Sequence, residues 1–466
     1  MVANGGRNCK ALIGGAIISV AAAACFFAAF IALALWLPQD QATIRRHVVA
    51  AVEQGAFNER FGYGPFGGIV WPRHTLDCTL ANMMLAPPAG RLADAISNRH
   101  TALNLSWSDP RVPATTDCQG LARAIPELGP GYGDVQWVSN DRYILGVRVV
   151  GRVLLSVMSF DAMARTLRGI AFALLGALGA LALWKLRAAP GAASRRFAAS
   201  YLVIAGCLAL LYGVHYFDAT LYFAPPDYVH FAFIAISLLA PLARMRPAAL
   251  ALYAAGYGSL IAIFESLTGG ITFALAILPL LLALGFDGGR REYYTRLFLV
   301  WAAFCIAVIT CFALKKIIVI ALLGDQESFA SLLFYRMFGA PMPESGTRLT
   351  LGYLLSSYRR WSSLIAFGSA NLGTVLVLAA LALFAAESWR TRSAAMSPVL
   401  LACWLGIAVL FVWAMVFLNH TAVHPYFMAR LLVIPVIGAT ILVMDRFGSP
   451  MRNADNGSRR PVRSPN

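Results

Sequence analysis

The chain has 466 residues, of which 59% are hydrophobic and 13% are charged, and its formal net charge is +16. A soluble domain carries about 25% charged residues, so this composition excludes a soluble globular protein and indicates an integral membrane protein. The positive charge does not indicate a nucleic-acid-binding protein, because the basic residues cluster between apolar runs and no folded basic domain carries them. We predict an all-α polytopic membrane protein.

The N-terminal part, residues 1–37, is predicted to be a short cytoplasmic tip and the first transmembrane helix. The apolar run 11–37 follows Arg7 and Lys10. It is about 25 residues long, which is enough to cross roughly 30 Å of hydrocarbon and longer than the core of a typical signal peptide. Small residues at 21–24 resemble a cleavage site, but the run stays apolar through Trp36, so a retained anchor is predicted.

Residues 38–165 form the one long polar segment, and we predict a small, α-rich extracytoplasmic domain there. Helical patterns near 41–55 and 90–100, together with three tryptophans, indicate a folded core. The end of the segment, 141–155, is apolar and carries two arginines four residues apart. This pattern favours a helix that lies on the outer membrane surface and leads into the second span.

Two of the eight cysteines, Cys78 and Cys118, lie in this polar segment, and the others lie in or beside apolar runs. A pair of cysteines in an oxidising compartment is typical of a disulfide. The bond would close a loop of about 40 residues, which is worth on the order of 3–4 kcal/mol in the chain-entropy model. It would also fix the position of the neighbouring Asp77.

Nine further apolar runs follow, which makes about ten spans in all. We predict a transmembrane bundle over 166–445 that includes an outer loop at 324–365. The remaining residues, 446–466, are predicted to be a disordered cytoplasmic tail. Small residues in these runs allow neighbouring helices to approach closely. The predicted spans are 12–37, 168–186, 199–216, 228–243, 247–264, 270–286, 297–316, 367–386, 398–418 and 428–444.

The distribution of basic residues predicts the orientation. If the N-terminus is cytoplasmic, the short inner loops contain eleven lysines and arginines, whereas the short outer loops at about 217–227, 265–269 and 419–427 contain none. This asymmetry is the positive-inside rule. We therefore expect a bacterial inner-membrane protein with both termini in the cytoplasm and its active face in the periplasm.

The segment from Asn419 to Arg430 opens the tenth span at the predicted outer boundary. His420 and His424 are four residues apart and share one helical face, with Tyr426 beside them. One interpretation is an interfacial belt in which Arg430 extends towards the headgroups. The other is a functional site, because an ionisable group below the interface costs several kcal/mol unless it has a partner.

Lys315 and Lys316 are half of the chain's four lysines and lie inside an apolar run. Lys315 is 19 residues beyond Arg296, or about 28 Å along a helix, which predicts a position at the outer boundary. Both side chains could extend to the interface, or they could form a cationic seat for a lipid phosphate.

Asp77 is the preferred acidic candidate, although a lone aspartate is most often a solvated or capping residue. Secondary candidates lie in the same polar segment, and lesser acidic candidates lie in other predicted outer regions. The secondary candidates are His74, Asp141, Arg142, Tyr143 and Arg148, and the lesser ones are Asp218, Asp227 and Glu265.

A first span, a long outer loop with an acidic residue, about ten spans and a late outer motif with His, Tyr and Arg together resemble the GT-C class of membrane glycosyltransferases, loosely its arabinofuranosyl-transferring members. The resemblance implies transfer of a sugar from a polyprenyl-phosphate carrier to a glycan, lipid or protein acceptor, with inversion at the anomeric carbon. It places Asp77 as general base and the Asn419–Arg430 motif at the donor phosphate, which Lys315 and Lys316 would join in binding. The sequence lacks the paired acids of many members, because Leu76 precedes Asp77, so use of a divalent metal (Mg²⁺ or Mn²⁺) stays open.

Two other function classes remain open at this stage. A lipid-linked sugar transporter or flippase also suits ten spans and outer cations, but it is expected to have polar or broken helices at the bilayer midplane. A non-catalytic subunit of a polysaccharide assembly complex is the third alternative.

Overall fold

The structure is a computed structural model, and it describes residues 3–37, 40–57, 62–63, 69–70, 75–86, 91–96, 98–101, 118, 120–122, 125, 137–139, 143–265, 269–324, 352, 355, 359, 362, 370–392, 396–417 and 430–447. Most of the predicted outer loop 324–365 and nearly all of the tail 446–466 lie outside these residues.

The chain is an α-helical polytopic membrane protein. Seven of the described helices are long and apolar enough to cross a membrane, and two shorter apolar helices lie among them. The long ones are α1 (Ala3–Trp36), α6 (Phe160–Ala188), α7 (Ala192–Leu211), α10 (Pro247–Phe264), α12 (Arg290–Leu323), α13 (Ala370–Arg390) and α14 (Pro398–Val416). The shorter ones are α9 (Ala224–Leu239) and α11 (Gly270–Ala283), and α15 (Val433–Phe447) ends the described chain.

Each of the ten predicted apolar runs therefore coincides with a helix, while the structure assigns membrane-crossing length to seven of them. The difference concerns α9, α11 and α15, which have 16, 14 and 15 residues. At a rise of 1.5 Å per residue these helices reach only about 21–24 Å, less than the hydrocarbon thickness of roughly 30 Å.

The centre of the bundle is formed by α1, α10 and α12, which pack closely because glycines remove side chains at the contacts. A Cβ on Gly15 would lie 2.6 Å from Leu299 Cδ1, and a Cβ on Gly258 would lie 2.6 Å from the backbone oxygen of Phe304. Small residues at such crossings allow the dispersion contacts that hold helices together in lipid.

Helix α11 contains a proline whose effect on the hydrogen bonding is compensated by its neighbour α12. Pro279 has no N–H to donate to the carbonyl of Leu275, four residues earlier. Trp301 of α12 donates its indole Nε1–H to that carbonyl at 3.0 Å, and the Tyr293 hydroxyl donates to the carbonyl of Pro279 itself at 2.9 Å. The two helices are thus joined at the point where an interior proline would otherwise weaken α11.

A second, smaller hydrophobic core lies where the polar segment meets the bundle. It is built from α2 (Gln41–Glu53), α3 (Thr75–Leu85), α5 (Gly146–Leu155) and the start of α6. Polar contacts join these helices: Gln41 donates to the Met84 carbonyl, and a ring nitrogen of His47 lies 2.7 Å from the Leu155 carbonyl oxygen. The helices expected near 41–55 and 90–100 are present as α2 and α4 (Arg91–Ile96). Helix α2 packs in this smaller core, whereas Ala95 and Ile96 of α4 pack in the core of the bundle. That the polar segment forms an extracytoplasmic domain stays a prediction.

Two short antiparallel strand pairs occur in the same polar segment. β1 (Gly62–Tyr63) pairs with β2 (Ile69–Val70), and β3 (Arg99–Thr101) pairs with β4 (Trp137–Ser139) in the register Arg99 to Ser139. The predicted disulfide between Cys78 and Cys118 is present, with the two Cα atoms 5.1 Å apart. The second pair and the disulfide connect residues about 40 positions apart, so they hold the long segment together.

The prediction of a surface helix at 141–155 is wrong in one respect. Helix α5 forms there, but Arg148 and Arg152 are only 1% and 4% exposed. The helix is packed from both sides: a Cβ on Gly146 would meet Ile263 of α10, and one on Gly151 would meet Met84 of α3. Neighbouring helices cover α5 where the sequence predicts contact with the membrane surface. The periodicity of one segment cannot reveal such packing.

One end of the bundle collects the basic residues that the sequence assigns to the inner loops. Lys185 at the end of α6 donates to the Leu238 carbonyl at the end of α9, at 2.6 Å. Arg296 near the start of α12 donates to the carbonyl of Met245, between α9 and α10, at 2.9 Å. Arg446 at the end of α15 pairs with Glu387 at the end of α13. We call this the basic end.

Candidate functional site

At the opposite end, a short connection between α7 and α9 and the first turn of α9 each carry one aspartate into the protein interior. The connection contains α8 (Val214–Phe217), begins at Gly213 with φ of 80°, and leads into α9 through a prolyl pair in its first turn. A side chain at Gly213 would be strained by that φ and would lie 2.9 Å from the Phe217 ring. The turn places Asp218 and Asp227 in the interior, 0% and 2% exposed.

Asp227 forms a buried ion pair with Arg430. The Arg430 guanidinium bonds Asp227 Oδ2, and both side chains are 3% exposed. The Tyr212 hydroxyl donates to Asp227 Oδ1 at 3.3 Å. A buried charge pair offsets its desolvation only when its remaining hydrogen-bonding groups also find partners, and Tyr212 supplies one of them.

Arg430 also lies over the faces of three aromatic rings. Its Cζ is 3.9 Å from the ring centre of Tyr212, 4.9 Å from that of Phe217 and 5.2 Å from that of Phe223. Such contacts attract a cation, more so when water is excluded. Arg430 belongs to the 3₁₀ turn Arg430–Leu432 that opens α15, so the start of the last helix is attached to the α7–α9 connection.

Asp218 lies close to Asp227. Burial, and then the charge of Asp227, raise the pKa of Asp218 well above its ordinary value, while Arg430 and Arg168 act in the opposite direction. We call Asp218, Asp227 and Arg430 the carboxyl–arginine cluster.

A histidine lies one helical turn beyond Asp227. His230 is fully buried, its Nδ1 is 2.7 Å from the Tyr257 hydroxyl, and its ring centre is 4.5 Å from that of Phe273. Its Nε2 faces Gly270, where a Cβ would come within 3.3 Å. Glu265 is on the same side of that glycine, and its Oε1 accepts the Gly270 N–H at 3.1 Å. Buried polar groups of α9, of α10 and of the start of α11 thus lie next to one another beyond the cluster, further inside the bundle.

Asp77 approaches the same connection from the polar domain. It is 1% exposed and its Oδ1 accepts the backbone N–H of Leu221 at 3.0 Å. Leu221 lies between Asp218 and Phe223, so α3 and the carboxyl–arginine cluster are attached to one six-residue stretch. The neighbouring Cys78–Cys118 bond fixes α3 in turn. Asp77 is therefore neither a solvated residue nor, in this contact, a helix cap.

Lys315 lies in α12 and is 2% exposed, so it does not extend to the interface. It donates to the carbonyl of Tyr143, which also accepts from Asn98 Nδ2 at 2.7 Å. These donors hold the turn before α5, where Leu145 has left-handed backbone angles (φ 52°, ψ 48°) that cost on the order of 1 kcal/mol or more in a residue with a side chain. Lys316, next along the helix, is half-buried.

Asp77 and Arg430 thus both contact the stretch 218–227. Lys315 instead donates to the Tyr143 carbonyl and has a structural role. Arg148, predicted together with Tyr143, is buried in α5. The remaining predicted site residues lie outside the described residues: His74, Asp141, Arg142, His420, His424 and Tyr426.

Sequence reasoning ranked Asp218 and Asp227 only as lesser candidates and did not identify them as partners of Arg430. One signal was present: the short loop that holds them carries acids and no lysine or arginine. What was missing was the contact between segments about 200 residues apart, which no local pattern encodes.

A divalent metal was left open by the sequence. Within the described residues no group of three or more His, Cys, Asp or Glu side chains is arranged to hold a metal ion.

Comparison of the chain with protein-family models, with curated proteins and with solved structures gives no match.

Proposed function

We propose that this protein is an inverting membrane glycosyltransferase that moves a sugar from a polyprenyl-phosphate carrier to a glycan, lipid or protein acceptor. The observation that carries the proposal is the convergence on residues 218–227: Asp77 of the folded polar domain binds the Leu221 N–H, and Arg430 of the last helix binds Asp227. A carboxyl pair, a cation and a domain able to bind an acceptor are the parts that such a transfer requires.

The orientation is part of the proposal. The carboxyl–arginine cluster is at the end of the bundle opposite the basic end, and the positive-inside rule puts basic ends in the cytoplasm. The reaction would then take place on the periplasmic face of a bacterial inner membrane, where polyprenyl-linked donors present their sugars and where a disulfide is stable.

In the proposed reaction, an acceptor hydroxyl attacks the anomeric carbon of the donor from the side opposite the phosphate. The bond from the anomeric carbon to the phosphate oxygen breaks, and its electron pair leaves with the polyprenyl phosphate. The hydroxyl proton passes to a carboxylate, and such base catalysis contributes about 10²–10⁴-fold. A single displacement gives inversion.

The carboxyl–arginine cluster is the preferred location for this chemistry, and it revises the role given to Asp77. Asp77 Oδ1 is engaged by the Leu221 N–H, so we assign Asp77 to positioning the connection. Asp218 and Asp227 are the carboxyl groups of this cluster that could accept the hydroxyl proton as general base. Arg430 is the fixed cation for the charge that develops on the leaving phosphate.

The cluster is closed to solvent, so substrate access requires displacement of residues 219–223, which follow Asp218 and include the Phe223 ring that lies against Arg430. The bond from Asp77 to Leu221 resists that displacement. This assignment predicts that loss of the Asp77 carboxylate changes the concentration dependence of transfer more than the rate at saturation.

The test is release of polyprenyl phosphate by purified protein from a panel of polyprenyl-phosphate-linked sugars. Asp218→Asn and Asp227→Asn are expected to lower the rate at least about 100-fold, by loss of base catalysis. Asp287→Asn, an exposed aspartate at the basic end, is the matched control. Undiminished release by both cluster variants, at normal expression, would remove the cluster from the reaction.

A lipid-linked sugar transporter is the second candidate, and one observation favours it. Helices α9 and α11 are shorter than a membrane crossing; Asp227 lies in the first turn of α9, Glu265 lies shortly before α11, and His230 lies within α9. Short helices flanking buried ionisable groups are typical of secondary transporters. Proteoliposomes that move an intact lipid-linked sugar between leaflets without releasing polyprenyl phosphate would favour the transporter over the enzyme.

A further inference from the structure

A second candidate site lies at the basic end, far along the bundle from the carboxyl–arginine cluster. The start of α12 and the start of α1 enclose a shallow groove of about 580 Å³. Its lining is formed by two arginines, two aromatic residues, a threonine and a leucine: Arg290, Arg291, Tyr294, Thr295, Phe298 and Leu12. The lining contains no acidic residue.

The lining changes from charged to apolar with depth along α12. Arg290, Tyr294 and Phe298 are spaced four residues apart and therefore form one stripe on the helix. The stripe is about 12 Å long at the helical rise, from the guanidinium at the helix start to the phenyl ring. Tyr294 and Phe298 are 47% and 59% exposed, so the apolar part of the stripe is open to the surroundings of the bundle.

The one acidic residue in the first turn of α12 is already paired. Glu292 lies in the same first turn, but Arg296 Nε is 3.0 Å from its carboxylate. The Thr295 hydroxyl donates to the Arg291 carbonyl at 2.9 Å. The two arginines at the start of a 34-residue helix, whose first N–H groups carry partial positive charge, thus form an anion-attracting end of the groove.

We propose that this groove binds an anionic phospholipid, with its phosphate at Arg290 and Arg291 and an acyl chain along Tyr294, Phe298 and Leu12. The order of charged, amphipathic and apolar residues matches the order of phosphate, interface and hydrocarbon in one leaflet. Basic pockets between transmembrane helices on the cytoplasmic side bind anionic headgroups in this way. The site is independent of the proposed transferase activity.

The test uses the full-length protein, purified in detergent, and measures its binding of phosphatidylglycerol and phosphatidylcholine by native mass spectrometry. We expect retention of phosphatidylglycerol by the wild type and a loss of about thirtyfold in affinity for Arg290→Ala/Arg291→Ala, because each basic residue near a membrane surface contributes about fivefold. Arg390→Ala/Arg392→Ala removes the same charge from the same end and is expected to bind as the wild type does.

Three outcomes would overturn the proposal. One is equal loss in both double variants, which means general attraction to the basic end. Another is equal affinity of the wild type for the two lipids. The third is binding of the deacylated headgroup glycerophosphoglycerol as strong as that of the lipid, which means a site for a soluble anion. If the Arg290/Arg291 variant fails to fold, Phe298→Ser serves instead, with reduced lipid binding expected and unchanged binding overturning the proposal.

Discussion

The two ends of the bundle use the same ion-pair chemistry in opposite surroundings. At the basic end, Arg446 and Arg390 are 54% and 62% exposed where they pair with Glu387. At the other end, Arg430 and Asp227 are each 3% exposed and are enclosed by aromatic rings. Exposed ion pairs contribute little to the free energy of unfolding, because water and salt screen them. Removal of one partner of a buried pair is strongly destabilising, because it leaves an uncompensated charge in the interior.

This difference indicates what each end is for. The arginines at the basic end are largely exposed, so the loss of any one of them is expected to cost little folding free energy. The opposite end holds charges where water is excluded, which costs folding free energy and is retained at functional sites. Four changes test this comparison, in order of decreasing expected effect.

The largest effect is expected for Arg430→Ala. It leaves the Asp227 carboxylate buried without its cation, which costs about 3–5 kcal/mol, whereas Arg446→Ala at the basic end is expected to cost less than about 1 kcal/mol. Thermal unfolding of the purified variants in detergent measures both. Similar losses for the two variants would contradict the distinction between the ends.

Removal of the disulfide by Cys78→Ala/Cys118→Ala ranks next. The bond closes a loop over a sequence separation of 40 residues, which corresponds to about 3–4 kcal/mol in the chain-entropy model. Because α3 carries Asp77, we also expect faster proteolysis near the 218–223 connection. Cys25→Ala, an exposed free cysteine, is the control. An unchanged unfolding temperature in the double variant would show that the polar domain is held by packing alone.

Between the two ends, Trp301→Phe tests whether the hydrogen bond from the indole to the Leu275 carbonyl compensates for the missing N–H of Pro279. Loss of the indole donor leaves the buried Leu275 carbonyl without this partner, at a cost of about 1–3 kcal/mol. Trp184→Phe, which changes an exposed tryptophan, is the matched control. If the two substitutions have the same effect on the unfolding temperature, the hydrogen bond to Leu275 has no net value.

The smallest effect, taken over a single pH unit, is a pH dependence from Asp218. Its folded-state pKa is raised, mainly by burial, so its contribution to stability is complete below the ordinary aspartate pKa near 4 and is lost as pH rises towards the folded-state value. The slope is at most about 1.4 kcal/mol per pH unit. Asp218→Asn is expected to flatten the decline of the unfolding temperature between pH 5 and pH 8, and an identical decline in the variant would contradict the raised pKa.

The amino-acid sequence alone predicts the α-helical membrane fold, the places where helices form in the ten apolar runs, and the Cys78–Cys118 bond. These features follow from local composition, because burial in lipid requires long apolar helices and an isolated cysteine pair has few alternatives. The sequence also indicated that Arg430 needs a partner, on the ground that a charge in the membrane is costly.

Which residues meet follows from the tertiary structure. Asp227 pairs with Arg430, Asp77 binds the Leu221 N–H, and Lys315 binds the Tyr143 carbonyl. These three contacts join residues between about 140 and 200 positions apart, and they depend on how helices cross. Helix crossings are set by the packing of many side chains at once, so the periodicity along one segment cannot specify them.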